Sequence, residues 1–431
     1  MGIKELHEIF SRHSYVCNDT RKISEGCIYW AIRGERFDGN VFTKEALEKG
    51  AAFAVIDNPE YYVDNRCILV DNCLVALQDL ASYHRVQLGL PIIAIGGSNG
   101  KTTTKELAWR VLSQKHKTFA TPGNFNNHIG LPLSLLQLDK TYEIAILELG
   151  ANHLNETREL AEICKPDMGL VTNIGKDHLD GFGGIEGVER ANMELYDYLR
   201  EYGGLVFANI DDTRIVKHLH GLKTVQYSIE DSKADVFGKI ITRFPFMEAE
   251  ISGKMLEKPV TVGSHLFGTF HLYNILAAFA IGLYQGVDEK AIKAAIESYI
   301  PQNNRSQVIK KGTNTYILDA YNANPSSMQG AVADFMDYPA HNKVLLLGDM
   351  FELGEESIAE HEAVLKMIKP YVFKEMAFAG KDFYACKDLL PSAYFFQTTD
   401  KMKEWYKSKN WENTVFLLKG SRGMKVEEVV V

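Results

Sequence analysis

An apolar, β-branched run at 91–95 (Pro-Ile-Ile-Ala-Ile) leads straight into Gly96-Gly97-Ser98-Asn99-Gly100-Lys101-Thr102. From Thr102 onward Leu107, Ala108, Val111 and Leu112 fall on one face of a helix. A strand, a glycine turn, Lys-Thr and a helix in succession constrain the fold more than any other feature of the chain. They call for a βα unit whose turn closes around an anion. Backbone N–H groups line such a turn, the helix N-terminus adds partial positive charge, and Lys101 adds a full one. The Thr102 hydroxyl stands where these loops ligate Mg²⁺. Gly97, Ser98, Asn99, Gly100, Lys101, Thr102 and Thr103 are therefore the expected nucleotide-phosphate site. The loop is shorter than the standard G-x-x-x-x-G-K-[ST], which would need glycine where Ile95 stands.

The same rhythm continues on both sides. Further strands are expected at 144–149, 168–172 and 205–209, with helical patterns between most of them, which is the signature of a parallel sheet covered by helices. Upstream, apolar runs at 28–32, 51–56 and 68–70 read as buried strands, and 42–49 reads as a helix closed by Gly50. Beyond Pro301, strands at 316–319, 344–347, 376–379 and 415–418 alternate with helices at 327–336 and 358–368, a unit of roughly Rossmann size. A chain of 431 residues has room for two to four domains. The expected fold is α/β in three: a small α/β unit at 1–88, a central parallel-sheet, P-loop-like unit at 89–302, and a C-terminal Rossmann-like unit at 303–431.

Composition narrows the function classes. Lys and Arg total 47 against 56 Asp and Glu, a net charge of −9, which disfavours general nucleic-acid binding. Six cysteines at 17, 27, 67, 73, 164 and 386 form no C-x-x-C pair, so reduced thiols in a cytoplasmic protein are expected. The opening Met-Gly-Ile-Lys-Glu-Leu-His-Glu reads as a polar helix start rather than a signal peptide, and no apolar run reaches the roughly 18 residues of a membrane span.

Several side chains stand where α/β proteins collect ligands. Glu148 ends an apolar strand and could supply the acidic metal ligand of a nucleotide-hydrolysing site, or be a solvated strand end. His178 follows another strand. Asn124, Asn126 and Asn127 lie in a Gly/Pro-flanked loop, where three amides bind a carbonyl-rich ligand or make Asx turns. Asp19, Thr20 and Arg21 offer a carboxylate, a hydroxyl and a guanidinium, groups suited to a polar or anionic ligand or to a helix cap. Asn274 opens a helical pattern and could cap it. Arg305 enters the third unit with a planar, fixed charge suited to phosphate. Asp319 closes a strand, as a ribose-binding carboxylate would, and Tyr321 follows it. Lys419 and Arg422 end the last strand as either a substrate-facing or a solvated basic turn.

In order, the chain carries Asn18-Asp-Thr-Arg21, Gly34-Glu-Arg-Phe-Asp-Gly39, the Gly97–Thr102 loop, Thr121-Pro-Gly-Asn-Phe-Asn-Asn-His-Ile-Gly-Leu-Pro132 and Glu148-Leu-Gly-Ala-Asn-His153. Asp319-Ala-Tyr-Asn-Ala-Asn-Pro325, Leu347-Gly-Asp-Met-Phe-Glu-Leu-Gly354 and Lys419-Gly-Ser-Arg422 follow. Over almost its whole length it thereby resembles the Mur ligase family, the ATP-dependent amide-bond-forming enzymes of peptidoglycan precursor synthesis. The last three segments resemble the branch that adds D-alanyl-D-alanine to UDP-N-acetylmuramoyl-tripeptide. The resemblance implies ATP and Mg²⁺ as cofactors, those two molecules as substrates, a UDP-binding N-terminal domain, and a monomer whose C-terminal domain closes on the central one. It implies catalytic roles for Lys101, Glu148, His178 and Arg305, and metal ligation by Thr102, Glu148 and His178. ATP binding falls to residues 97–103 with Asn274, Arg305, Asp319 and Tyr321. Substrate binding falls to Asp19, Thr20, Arg21, Asn124, Asn126, Asn127, Asn322, Asn324, Lys419 and Arg422. Arg21, Lys101, Arg305 and Lys419 are expected to gather the scarce positive charge in the cleft. Rivals are another ligase of the superfamily adding a single amino acid, or a non-catalytic nucleotide-binding protein.

Two positions depart from the family pattern. Asn192 stands where most members carry a lysine that is carbamylated to hold a second metal, leaving Glu189 or Glu194 as candidate substitutes. Asn40 stands where relatives commonly carry His.

Overall fold

The computed structural model describes residues 1–430 apart from 14, 35 and 36. Glu35 and Arg36, inside the Gly34–Gly39 segment, thus lie outside the described residues. Among the described residues the strands form main sheets of four, nine and six strands and a two-stranded ribbon.

The first sheet is parallel throughout, in the order Val16–Cys17, Ile28–Trp30, Phe53–Ile56, Cys67–Leu69. Its middle strands are wholly or almost wholly buried, as continuous apolar runs demand. Helix Cys73–Leu88 follows. The Asn72 side chain accepts the Val75 N–H at its start, and Gly89 at φ +66° ends it. This helix ties the unit to the next: Arg85 donates to the carbonyls of Cys164 and Lys165 and pairs with Asp167 at 2.9 Å.

In the central sheet, strand Ile92–Gly96 lies between Ile144–Glu148 and Met168–Val171, all parallel and all buried. The loops after these three strands therefore emerge side by side at one sheet edge. Helices Lys101–Leu112 and His271–Tyr284 pack against each other, and Ala277, Ala278 and Ala280 contribute to the core beneath them. The sheet is not purely parallel. It runs parallel through seven strands and then adds Glu248–Ser252 and Val260–Gly263 antiparallel, beyond Val236–Thr242.

The C-terminal sheet has one antiparallel strand, Gln307–Lys311, beside Asn314–Asp319. The other pairings, through Val415–Lys419, Lys343–Gly348, Glu375–Ala379 and Tyr394–Phe396, are parallel. This domain is docked on the central one. Asp334, buried on helix Pro325–Asp337, accepts the Thr269 N–H at 2.8 Å and lies 3.3 Å from Arg243. Lys176 reaches Glu360 at 2.5 Å. The six cysteines are free and buried, and among the described residues no helix is long and apolar enough to cross a membrane.

Candidate active site between two domains

A cavity of about 410 Å³ opens between the central and C-terminal domains. On the central side its floor is the glycine loop. Gly97 sits at φ +117°, and a Cβ there would lie 2.1 Å from the Thr172 hydroxyl and 2.7 Å from the Thr172 amide nitrogen. Only glycine permits both the backbone shape and the approach. Lys101 begins the helix and donates to the carbonyls of Gly97 and, at 3.3 Å, Ser98. The Thr102 hydroxyl lies 3.0 and 3.1 Å from the two oxygens of Glu148. Glu148 is only 3% exposed and also accepts from Asn126 at 3.0 Å. Asn127 steadies the turn before the next helix, accepting the Ile129 and Gly130 N–H groups at 3.2 and 2.8 Å, while Asn124 lines the cavity. Asn173 and Asp177 were not singled out from sequence. Asn173 braces Asn99 through two hydrogen bonds, and Asp177 accepts from Ser98 at 2.5 Å.

His178 adopts a left-handed backbone, φ +45°, and its Nδ1 lies 2.6 Å from Glu352 of the C-terminal domain. Glu352 is left-handed too, at φ +65°. Such conformations cost energy in non-glycine residues and persist only where the surroundings enforce them. The hydrogen bond from His178 holds the Glu352 carboxyl below its usual range. Glu352 lay in the Leu347–Gly354 segment but was not picked out as a site residue. Asp349 of the same segment anchors the turn by accepting the N–H groups of Asp382 and Phe383.

Both candidate substitutes for the family lysine are engaged elsewhere. Burial would raise the Glu189 carboxyl, but His218, Lys217 and Arg214 outweigh it and hold Glu189 at about 2, and Glu189 does not line the cavity. Glu194 accepts the N–H groups of Asn155 and Arg158. Asn192 donates to Val188 within its own helix and borders a small void shared with Gly97, Lys101 and Asp177. The carboxylate beside His178 is Glu352. At position 40, the buried Asn40 bonds Asp38 and Asp57, an internal role in the first domain.

The opposite wall comes from the C-terminal domain. Asn303, Asn304 and Ser306 all have positive φ, and this contorted linker presents Arg305 with its guanidinium 3.5 Å from the centre of the Tyr321 ring. Arg422 lies over the same ring at 4.8 Å. Lys419 is not a solvated basic turn. It is 2% exposed and pairs with Asp319 at 2.6 Å. Burial pushes the Asp319 carboxyl up, but Lys419, His271 and the Ser306 N–H together outweigh it and the net shift is downward. Asn322 lines the cavity. Asn324 caps helix Pro325–Asp337 and donates to Asn99 of the glycine loop at 2.9 Å, joining the two walls.

The cavity wall thus gathers Ser98 to Thr103, the three loop asparagines, Glu148, His178, Arg305, Asp319, Tyr321, Asn322, Asn324 and Lys419. Gly97, Asn274 and Arg422 stand just behind it. Asn274 is the fourth residue of helix His271–Tyr284, so it does not cap that helix. Asp19, Thr20 and Arg21 are not part of the cavity. They belong to the N-terminal sheet unit, where Asp19 caps a short turn and pairs with Arg21 at 2.8 Å. The cationic cluster in the cleft is accordingly Lys101, Arg305 and Lys419, without Arg21.

Three family models cover the chain: the Mur ligase family catalytic domain at 13–85, the Mur ligase middle domain at 95–282 and the Mur ligase glutamate ligase domain at 304–422. The UDP-N-acetylmuramoyl-tripeptide–D-alanyl-D-alanine ligase of Bacillus subtilis is 32% identical, covering 96% of this chain and 92% of its own. That of Escherichia coli is 33% identical with the same coverage. Among solved structures, MurF from Acinetobacter baumannii superposes with a TM-score of 0.88 at 28% identity, over 96% of this chain and 92% of that one. MurF ligase from Thermotoga maritima in complex with ADP gives 0.85 at 26% identity, over 96% of each. Over its three matched domains and almost its whole length the chain belongs to the Mur ligase family.

Proposed function

We propose that the chain joins D-alanyl-D-alanine to UDP-N-acetylmuramoyl-tripeptide at the expense of ATP. One observation carries this: a phosphate loop on one domain and Arg305, Asp319 and Lys419 on another face the same cavity, in a chain whose full-length relatives bear that name. The ADP in the Thermotoga maritima structure supports a nucleotide in the loop. In this reading the tripeptide carboxylate attacks the γ-phosphorus of ATP, ADP leaves, and an acyl phosphate forms. The dipeptide amine then attacks the acyl carbon, phosphate leaves, and the amine proton is released. Lys101 and Arg305 neutralise charge on the transferring phosphoryl group. Asp319 holds the ribose, since its Oδ2 accepts one protein hydrogen bond, from Lys419, and retains a free lone pair. Asn274 and Tyr321 lie near the base. The loop asparagines, Asn322, Asn324, Lys419 and Arg422 receive the peptide substrates.

The hydroxyl of Thr102 and the carboxylate of Glu148 converge as hard oxygen donors, a set that suits Mg²⁺ with His178 nearby. Bound there, the ion would offset phosphate charge. Asp19, Thr20 and Arg21 bind the UDP end. We place the domain divisions near residues 88 and 302, and expect a cytoplasmic monomer. The test is phosphate release with D-alanyl-D-alanine plus UDP-tripeptide carrying either L-lysine or diaminopimelate. Release with one of them is expected. None with either would remove the proposal.

A further inference from the structure

A continuous run of hydrogen bonds links the C-terminal domain to the phosphate-loop helix, and three of its members, Ser306, His271 and Thr104, have no part in the steps above. Lys419 Nζ donates to Asp319 Oδ2 at 2.6 Å. Asp319 Oδ1 and the Ser306 hydroxyl are 3.2 Å apart, Ser306 Oγ and His271 Nε2 2.8 Å, His271 Nδ1 and Asn274 Nδ2 2.9 Å, and Asn274 Oδ1 and the Thr104 hydroxyl 3.1 Å. Thr104, Asn274, His271, Ser306 and Lys419 are all buried.

The chemistry of these groups leaves one direction for every bond. A carboxylate beside a lysine only accepts, so the Ser306 O–H donates to Asp319. The Ser306 oxygen must then accept, which places the His271 proton on Nε2 and leaves Nδ1 as an acceptor. Nδ1 faces the amide nitrogen of Asn274, so the Asn274 oxygen is the atom left to accept from Thr104. Burial drives the His271 pKa down to about 4, which keeps the ring neutral with its one proton.

Asn274 also abuts the loop, since a Cβ on Gly100 would sit 2.5 Å from its Oδ1. Ser306 lies in the contorted linker between the domains, with φ +50°, and its N–H also donates to Asp319. The run therefore has one end on the closing domain, its middle in the linker and its other end against the phosphate loop.

We propose that Asp319, Ser306, His271, Asn274 and Thr104 form a one-way hydrogen-bond relay that makes the fit of the phosphate loop depend on the seating of the C-terminal domain, with His271 its central positioning residue. The inference rests on the ATP site proposed above. It predicts that breaking the relay at any point has the same effect, so that two breaks do no more harm than one.

The test is calorimetric binding of ATP with Mg²⁺ to the full-length chain, which needs no ligation and so reads separately from the choice of peptide substrates. Ser306→Ala and Thr104→Val change groups three hydrogen bonds apart. Each is expected to weaken ATP binding about threefold to tenfold, the scale of one lost hydrogen bond. The double variant is expected to match the weaker single rather than the product of the two. His271→Ala should do likewise, and if it does not fold, the Ser306 and Thr104 pair decides alone. Independent, multiplying losses, or no loss from Ser306→Ala, would overturn the relay. If wild-type chain binds ATP but ligates neither tripeptide, the proposed reaction fails while this test still stands.

Discussion

Glu148 is held at 3.0 Å by both Thr102 and Asn126, so its charge and its position belong to one arrangement. Glu148→Gln keeps the shape and removes the charge. It should lower the rate of ATP-dependent ligation about a hundredfold, the scale of losing one group aimed at developing charge. It should leave the thermal midpoint within a few degrees, and an unchanged rate would strip Glu148 of its role. His271 gives a second residue-level prediction. Its folded pKa lies at about 4 against an ordinary 6.5, with burial and Lys419 lowering it and Asp319 opposing. Between those values the unfolded chain binds a proton that the folded chain refuses. Stability from this residue is therefore complete above pH 6.5 and declines as pH falls toward 4, by roughly 3 kcal/mol in all. Urea unfolding of wild type and His271→Gln from pH 7.5 to 4.5 measures it, and parallel pH profiles would refute it. Residues of this kind were legible to different degrees. The Gly97–Thr103 loop declares itself because its chemistry is local in sequence. Lys419 left a solvated turn open beside a substrate-facing role, because its partner Asp319 is a hundred residues away. Glu352 was missed for the same reason, since what matters about it is His178 across a domain boundary.

At the scale of elements, buried parallel strands were legible as apolar runs, and Ile92–Gly96, Ile144–Glu148 and Lys343–Gly348 fall within a residue or two of expectation. Many of the strands that escaped notice lie toward sheet edges, although Lys223–Ser228 is paired on both sides. Val236–Thr242 and Val260–Gly263 are half exposed and carry lysine or threonine among their apolar residues, so no continuous run marks them. Helix His271–Tyr284 is almost uniformly apolar because it lies between the sheet and another helix. The glycine loop is the element on which function most depends. Gly97→Ala would force a Cβ into Thr172 at a positive φ, a strain of about 1–3 kcal/mol if the loop stays in place. The loop should move instead, and ATP affinity by calorimetry should drop more than tenfold while the far-UV circular dichroism remains that of the wild type. Unchanged affinity would mean that the loop does not hold the phosphates.

The whole molecule brings its cavity together by docking one domain on another, through apolar packing such as Phe244 and Phe267 against Tyr338 and through a set of polar fastenings. Asn324 meets Asn99, Lys176 meets Glu360, Glu352 meets His178, and Asp334 meets Thr269 and Arg243. Exposed ion pairs contribute little each and weaken with salt, so the Arg243 contact by itself is a minor fastening. Asp334 differs, being 4% exposed and accepting both the N–H and the hydroxyl of Thr269. Asp334→Ala would leave that N–H without its partner in the docked state, whereas water could satisfy it once the domains part. The cost therefore falls on closure rather than on the folding of either domain. The variant should show a larger radius of gyration by small-angle scattering and a raised KM for ATP, while its thermal midpoint moves little. Saturating ATP with UDP-tripeptide should bring the scattering of wild type and variant back together, because ligands spanning Lys101, Arg305 and Lys419 favour the closed form by mass action. Identical scattering of the two proteins without ligands would show that Asp334 is not a fastening of the closed state.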